Sequence, residues 1–451
     1  MTDLFLCVDP GASQTKIIYQ LKGENSPHYL LMSPDVEPID QSALDFYFAS
    51  TGWLGHPTPV QQAWLHVNDG VYVVGEFADK FDPSDRLKEL KYENALYKVL
   101  AAIGVIRERH GLSSKKKLVL QLALLLPANE YNDRERFKER LKLFLARFSF
   151  RDTVLKVKLE RFLCRPEGGG LASIAVIRNG ADWLQQRKLG VLMLGHRNVS
   201  ALYFEYGSMK TLDSPLIGFS SFLDSVVAMT SGLDRNSLAD ALFAAIDAAG
   251  SSVNNYRYRD SYRYEGRINY TKHPNWGDYY SVKNLATAKD PTLRQQEIEA
   301  IVSAIESATE QYWSKLNKWL GKIFPEDLEI VVVSGGASRF LEPEIEEYFN
   351  CQPMGRKRDK NKASYYDRCF EPNEYQDLDS EYHMTPVVWS GGLQKRINST
   401  FGLTNTSGSL SYRLIDAYGL FDYLLGKNSL NNSASKSKSK PDASAEEERN
   451  G

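Results

Sequence analysis

The sequence Leu-Phe-Leu-Cys-Val-Asp-Pro-Gly-Ala-Ser-Gln-Thr-Lys occupies residues 4–16 and carries the clearest indication of the architecture. Its first five residues are an apolar run typical of a strand, and residues 14–21 resume a strand-like alternation. Asp9, Pro10 and Gly11 lie between the two runs and are residue types that favour turns. The stretch therefore predicts a β-hairpin with a glycine-containing turn.

The second half of the chain repeats this pattern. The apolar residues 190–194 are followed by Gly-His-Arg-Asn at 195–198 and by another strand-like run at 199–206. Helical periodicity alternates with strands in both halves, for example at residues 83–110 and 292–323. The sequence predicts a duplicated two-domain α/β fold with a cleft between the domains.

Length and charge narrow the class of protein. A chain of 451 residues exceeds one ordinary hydrophobic core, which indicates two or more domains. The 55 lysines and arginines nearly balance the 57 aspartates and glutamates, so the net charge of -2 provides no global attraction to nucleic acid or anionic membranes. Because no apolar run approaches the ~20 residues that span a bilayer and no basic leader is present, we expect a cytoplasmic protein without a transmembrane segment.

The four cysteines form no Cys-x-x-Cys pair. Cys7 and Cys164 lie in apolar, strand-like surroundings, which predicts small core residues. We assign neither a disulfide nor a zinc site to these two or to Cys351 and Cys369.

Two glycine-containing loops have the composition of phosphate or nucleotide sites. Residues 9–16 combine a carboxylate suited to hydrated Mg²⁺, a small turn whose amides can approach an anion, and Lys16 as a point charge. Residues 334–338, Ser-Gly-Gly-Ala-Ser, follow a strand and open a helix, where paired glycines allow close approach of the backbone. From these residues alone, an ordinary hairpin turn and a tight strand-to-helix connection are equally open interpretations.

Five segments occur in the order found in the actin-like ATPase family, and they resemble its bacterial ParM/StbA-type branch. Residues 9–16 resemble the phosphate-1 loop, residues 194–198 the phosphate-2 loop, and residues 333–337 the adenosine loop. Pro166-Glu167-Gly168-Gly169-Gly170 is similar to the start of the first interdomain helix. Asp416-Ala417-Tyr418-Gly419-Leu420 is similar to the helix that returns to the first domain.

This resemblance implies a nucleotide site with Mg²⁺ and either ATP or GTP. It implies that Asp9 holds Mg²⁺ through water and that Glu167 is the catalytic residue that orients the attacking water. A helix N-terminal acid that satisfies the dipole is the alternative for Glu167. The implied nucleotide-binding residues are Asp9, Gly11, Ala12, Ser13, Gln14, Lys16, Gly195, His196, Arg197, Asn198, Gly335, Gly336 and Ala337.

One position departs from the family pattern. Met193 stands two residues before Gly195, where the phosphate-2 strand of the family usually carries an aspartate. Methionine neither binds hydrated Mg²⁺ nor accepts a proton. Two interpretations remain open: Arg197 neutralises phosphate charge directly, or Arg197 is exposed to solvent and hydrolysis is slow.

The resemblance implies domain I at residues 1–185 plus 414–426 and domain II at residues 186–413. Irregular composition predicts insertions near 254–285 and 352–385, and the polar residues 427–451 predict a disordered tail. Tyrosine and arginine interleave at residues 256–267. This pattern suits a two-faced strand or a polymer contact better than nucleic acid, so we expect no direct nucleic-acid binding.

The resemblance implies a filament-forming protein that binds and slowly hydrolyses ATP or GTP. Its implied role is DNA or plasmid segregation with a small DNA-binding adaptor protein, or a cytoskeleton that determines cell shape. The partner of the chain is then a second copy of itself, since head-to-tail contacts propagate when their rotation does not close. The alternatives are a non-polymerising nucleotide-binding scaffold, a sugar kinase or an Hsp70-like ATPase.

Overall fold

The computed structural model describes residues 2–51, 57–68, 70–83, 91–253, 273–350, 352–353, 382–383, 385–389, 393–403 and 408–437. Strands of the first half are β1 (Leu4–Pro10), β2 (Thr15–Leu21), β3 (His28–Met32), β4 (Val36–Ile39), β5 (Ala63–Val67), β6 (Gly70–Val74), β7 (Leu118–Leu126), β8 (Phe148–Phe150), β9 (Thr153–Leu155) and β10 (Val157–Pro166). Its helices are α1 (Gln41–Ser50), α2 (Lys91–Arg109) and α3 (Arg134–Ala146), with 3-10 turns at Gly75–Phe81 and Tyr131–Asp133.

The remaining strands are β11 (Lys188–Leu194), β12 (Val199–Glu205), β13 (Ser208–Asp213), β14 (Ile330–Ser334), β15 (Gln352–Pro353), β16 (Tyr382–His383) and β17 (Val387–Trp389). The remaining helices are α4 (Gly169–Asn179), α5 (Ala181–Gln185), α6 (Phe219–Met229), α7 (Arg235–Val253), α8 (Tyr280–Lys283), α9 (Pro291–Ile323), α10 (Glu342–Asn350), α11 (Gln394–Phe401) and α12 (Gly408–Ser437). Two 3-10 turns lie at Trp276–Asp278 and Gly336–Arg339.

Two five-stranded sheets have the same topology. The first has the order β10-β7-β1-β2-β3 and the second the order β13-β12-β11-β14-β17, which is the same order read from the other edge. In each sheet the first three strands are antiparallel, and the two later strands run parallel to the first. The predicted duplicated α/β fold is therefore confirmed by the strand order and direction.

Sequence patterns explain why these elements form. Residues 118–126, Leu-Val-Leu-Gln-Leu-Ala-Leu-Leu-Leu, are apolar nearly throughout, and they form a central parallel strand covered on both faces. Helix α9 begins at an Asp290 cap, whose carboxylate accepts hydrogen bonds from the backbone of Thr292 and Leu293, with Pro291 in the first turn.

A third sheet belongs to the first half and was not predicted as a unit. Its order is β4-β6-β5-β8-β9, and its neighbouring strands are all antiparallel. Its β5-β6 pair is an antiparallel hairpin with Asn68 in the turn at a φ of 53°. Helix α2 packs between this sheet and the first sheet, so the apolar core of the first half is shared by both.

Helices α4 and α12 lie between the two duplicated sheets and join the halves. Leu171 and Ile174 of α4 and Phe421 of α12 belong to one apolar cluster, which also contains Ile18 of the first sheet and Val332 of the second. The helices approach closely at glycines: a Cβ on Gly170 would overlap the backbone oxygen of Asp416, and one on Gly419 would overlap Ile174.

The predictions for two insertions and the tail differ in part from the structure, or lie partly outside the residues that it describes. Of the predicted 254–285 insertion, residues 254–272 lie outside the described chain, whereas Trp276 and Val282 are buried in the core of the second half. In the 352–385 segment, β15 and β16 pair with each other, and most intervening residues are outside the described part. Helix α12 continues to Ser437, past residue 427 where the tail was predicted to begin, because no proline interrupts it before Pro441.

Cys7 and Cys164 are buried, as predicted for small core residues, and the other two cysteines lie outside the described residues. Among the helices that the structure describes, none has both the length and the apolar character of a membrane-spanning segment.

Candidate nucleotide site

The turn between β1 and β2 presents a carboxylate and a lysine together. Asp9 and Lys16 are paired in the antiparallel register, and Lys16 Nζ lies 2.5 Å from Asp9 Oδ2. Gly11 is required there, since a Cβ at this position would lie 2.7 Å from the Gln14 carbonyl oxygen. Asp9 and Gly11 are buried while Ser13 is exposed. The turn is therefore tight, and its tip remains accessible to an anion.

The turn between β11 and β12 has the same local geometry. Gly195 stands three residues before Asn198, as Gly11 stands before Gln14, and its Cβ would lie 2.8 Å from the Asn198 carbonyl oxygen. The Gly195 N–H donates to that oxygen at 3.0 Å. The two hairpin turns that the sequence placed in corresponding positions are thus built alike.

The glycine loop after β14 packs against the second of these turns. Gly335 has a φ of 104°, and a Cβ there would overlap the backbone of Leu194 at the end of β11. A side chain at residue 335 would therefore push the loop away. Gly336 is more open: its added Cβ would lie 3.5 Å from Cγ of Arg413, while Ala337 is buried.

Arg413 of α12 connects this loop to the first turn. Burial lowers the pKa of the Arg413 guanidinium, and the nearby Asp9 carboxylate acts in the opposite direction. Arg413 also affects His196. Burial is the main cause that lowers the pKa of His196 to about 4, and the positive charges of Arg235 and Arg413 lower it further. His196 is therefore neutral at pH 7. Arg413 therefore acts electrostatically on residues of both hairpin turns.

Glu167 lies at the start of α4 and is fully engaged. Lys91 Nζ lies 2.6 Å from Glu167 Oε1, and Ser200 Oγ donates to Glu167 Oε2 at 2.9 Å. Ser200 also contacts Ser214 Oγ at 2.7 Å. Because both carboxylate oxygens already have partners, a water that binds Glu167 must share or displace one of them.

Arg197 is buried and not exposed to solvent, which removes one of the two interpretations offered for it. Its Nη1 lies 3.6 Å from Glu130 Oε1, and both side chains are almost completely buried. Glu130 follows β7 in the first half, and its Oε2 accepts the Tyr92 N–H at 2.8 Å. Burial raises the pKa of Glu130, and Arg197 counteracts part of this rise.

Asp416 closes the N-terminus of α4 from the neighbouring helix. Its carboxylate accepts hydrogen bonds from the N–H groups of Gly168 at 2.7 Å, Gly170 at 2.8 Å and Leu171 at 3.2 Å. Burial raises the pKa of Asp416 to about 7 despite these donors. The first turn of α4 therefore depends on a residue almost 250 positions away.

The architecture follows from the two sheets, which have the same topology and carry their first hairpin turns at corresponding places. The fold is actin-like. Met193 is half-buried and packs on the apolar layer beside Gly168.

No protein-family model and no curated protein matches the chain. Among solved structures, the Alp12 filament aligns over 95% of this chain and 100% of its own, at 12% identity and a TM-score of 0.47. A 15-stranded ParM filament from Clostridium botulinum aligns over 94% and 100%, at 14% identity and a TM-score of 0.45. An archaeal actin homolog aligns over 94% and 99%, at 13% identity and a TM-score of 0.46. Similarities this low carry no functional conclusion for the chain.

Buried polar atoms test whether the site suits a phosphate chain with Mg²⁺. Among the described residues, Gln14 Oε1, Thr15 Oγ1, Arg197 Nε and Asn198 Oδ1 are buried without a hydrogen-bond partner. Buried polar atoms are normally satisfied. Arg197 Nε is a donor that would suit an anion, whereas the amide oxygens of Gln14 and Asn198 are acceptors that would suit the waters of a hydrated cation. Magnesium retains several waters in nucleotide sites and needs few protein carboxylates, which suits Asp9.

Several residues that contact the predicted loops were missed by sequence analysis. Lys91, Glu130, Ser200 and Arg413 come from separate elements and meet the predicted loops only in the folded chain. Glu130 lies in the loop after the apolar strand β7. No local sequence feature distinguishes this buried glutamate from one on the surface.

Proposed function

We propose that the chain is an actin-like protein that binds ATP or GTP with Mg²⁺ between its halves and assembles into filaments. The observation that carries the proposal is a set of contacts that links the predicted segments to one another. The Gly335 loop packs on Leu194 beside the second turn, Gly336 lies beside Arg413 of α12, and Asp416 of α12 accepts the N–H of Gly168 before α4.

Each segment contributes a role that its chemistry supports. The accessible backbone of residues 11–14 and Lys16 would bind phosphate oxygens, since short turns with exposed amides bind anions. Asp9 would hold hydrated Mg²⁺, which neutralises phosphate charge when bound. The Gly335-Gly336 backbone would lie against adenosine or guanosine, because a glycine backbone has no Cβ to block a flat ring.

Glu167 would orient the attacking water, with Lys91 as the cation that fixes its carboxylate. Charge-assisted hydrogen bonds are strong enough to hold a carboxylate in one orientation. Ser200 comes from the second half and Lys91 from the first, so closure of the cleft would position Glu167 from both sides. Hydrolysis would be slow, because Met193 removes a second carboxylate from the phosphate region.

Filament assembly would follow from a heterologous contact between copies, with the nucleotide setting the angle between the halves. The biological role would be DNA or plasmid segregation through a small DNA-binding adaptor, or support of cell shape. Negative-stain electron microscopy with Mg-ATP, with Mg-GTP and with a chelator tests assembly. Filaments only with Mg-nucleotide are expected; their absence under all nucleotide conditions would contradict the proposal.

A matched pair of variants connects assembly to the site. Asp9→Ala should abolish both nucleotide binding and filaments, whereas Asp182→Ala, at an exposed position of α5, should retain both. Filaments formed by the Asp9 variant as readily as by the wild type would separate polymerisation from the proposed site.

A second function is favoured by the engaged state of Glu167 together with Met193. A scaffold that binds nucleotide without hydrolysing it would need neither a free water-orienting carboxylate nor the missing aspartate. Phosphate release measured under filament-forming conditions distinguishes the two: continuous release supports the slow ATPase, and none over many hours supports the scaffold.

A further inference from the structure

The Arg197–Glu130 ion pair joins the two halves inside the molecule. Arg197 lies in the turn after β11, and Glu130 lies in the loop after β7 of the other half. Their side chains are 6% and 1% exposed. The Glu130 carboxylate is also anchored in its own half, through the N–H of Tyr92 at the start of α2.

This pair is incompletely satisfied. The distance from Arg197 Nη1 to Glu130 Oε1 is 3.6 Å, too long for a hydrogen bond, and neither Glu130 Oε1 nor Arg197 Nε has a hydrogen-bond partner among the described residues. A buried ion pair offsets its desolvation only when its geometry and hydrogen bonding are good. The contact is therefore one that a better partner can replace.

A phosphate is a better partner for Arg197 than this carboxylate. Guanidinium groups bind phosphate oxygens with two parallel charge-assisted hydrogen bonds, and Nε, which is unsatisfied here, is one of the donors such a pair uses. Arg197 lies in the turn that corresponds to the phosphate-binding turn of the first half. An anion that enters the cleft at this turn would meet Arg197 together with its competitor Glu130.

We infer that Arg197 and Glu130 determine the selectivity of the site for a nucleoside triphosphate over a diphosphate, with Glu130 competing against the terminal phosphate for the Arg197 guanidinium. The inference rests on the proposed function, because it assigns roles within the same site. Without a terminal phosphate, Arg197 remains on Glu130 and holds the halves together; with one, Arg197 transfers to the phosphate. Glu130 thereby weakens triphosphate binding and leaves diphosphate binding nearly unchanged.

The test measures affinities for Mg-ADP and for a non-hydrolysable Mg-ATP analogue by fluorescence titration of full-length protein. Glu130→Gln should tighten binding of the triphosphate analogue about fivefold or more, with ADP affinity within about twofold of wild type, since the amide is a weaker partner for Arg197. Arg197→Gln should bring the two affinities close together. The double variant should match Arg197→Gln alone, because Glu130 acts only through Arg197.

Glu160→Gln is the control, since Glu160 lies in the same half and accepts hydrogen bonds from Thr2 and Gln121. It should leave both affinities unchanged. Thermal melts verify folding; if Glu130→Gln does not fold, Arg197→Lys provides the test, because lysine lacks the fork and should lower the preference for the triphosphate.

Weaker triphosphate binding by Glu130→Gln, an unchanged ratio of the two affinities, or additive effects in the double variant would each overturn the inference while the proposed function stands. A wild type that binds neither nucleotide would overturn the proposed function, and the inference with it.

Discussion

Substitution of Asp416 measures how strongly the joint between the halves depends on one buried carboxylate. Three backbone N–H groups at the start of α4 donate to it, at 2.7, 2.8 and 3.2 Å. Alanine removes all three acceptor contacts, and asparagine keeps one side-chain oxygen without the charge. Asp416 is 2% exposed, so water cannot replace the lost acceptor without a rearrangement.

Substitution of Asp416 changes the free energy of unfolding in two ways, and the two depend differently on pH. Loss of the acceptor contacts in Asp416→Ala should cost roughly 2–4 kcal/mol, because three buried backbone donors are left unsatisfied. Separately, the pKa of about 7 in the folded protein exceeds the ordinary value of about 4 in the unfolded chain. The folded state therefore binds the proton more tightly, and the stability it gains below pH 4 is lost as the pH rises through 7.

Between pH 5 and pH 8 this linkage lowers the free energy of unfolding of the wild type by roughly 2–3 kcal/mol, whereas Asp416→Asn, which does not titrate, is unaffected. The stability of the asparagine variant relative to wild type should therefore increase over that interval. Urea-unfolding midpoints of both proteins at several pH values measure the difference. Asp182→Asn, an exposed aspartate on α5, is the control and should follow the wild type.

Two results would refute this reasoning. If the wild type and Asp416→Asn keep a constant stability difference from pH 5 to pH 8, the carboxylate does not titrate in this range. If Asp416→Ala lies within about 0.5 kcal/mol of wild type at pH 5, the three backbone donors find other acceptors and the carboxylate does not hold the start of α4.

Three further substitutions test the phosphate site. Asp9→Ala should abolish stable Mg-nucleotide binding, because it removes the carboxylate beside Lys16; unchanged affinity in a fluorescent ATP titration would make the first turn purely structural. Glu167→Ala should slow hydrolysis and lengthen filament lifetime while nucleotide binding persists, and undiminished phosphate release would assign Glu167 to the helix start. Met193→Asp should speed hydrolysis, measured as phosphate release, if a missing carboxylate limits the rate. A thermal melt in saturating Mg-nucleotide is the control for folding, because an unpaired buried charge costs several kcal/mol. A stable aspartate variant with unchanged turnover would show that the site does not use that carboxylate.

The elements predicted well are those whose signals are local. The β1-β2 hairpin follows from an apolar run and a glycine turn, and the β11-β12 hairpin follows from the same pattern at residues 190–206. Both patterns depend on neighbours in sequence, so periodicity and turn chemistry suffice. The third sheet escaped prediction because β8 and β9 are only three residues long. Strand β8 joins β5 from about 80 residues away, and β9 pairs with β8.

The predicted site residues were selected for the same reason: each sits in a turn with a recognisable composition. Their partners could not be predicted. Glu130 meets Arg197, and Lys91 meets Glu167, only after strands and helices from separate parts of the chain have packed. The interpretation of Arg197 as solvent-exposed failed because no local pattern reveals a carboxylate contributed by the other half.

The apolar layer formed by α4 and α12 also limits how this chain can be divided. Ile18 and Val332, one from each duplicated sheet, cover the same pair of helices, and α12 is separated from the first sheet by more than half of the sequence. A fragment ending after α4 would leave that layer open to water on the side that α12 and the second sheet cover. Each half expressed alone should therefore aggregate, whereas co-expressed halves should recover a soluble complex. Separately expressed domains are therefore poor starting points for biochemistry.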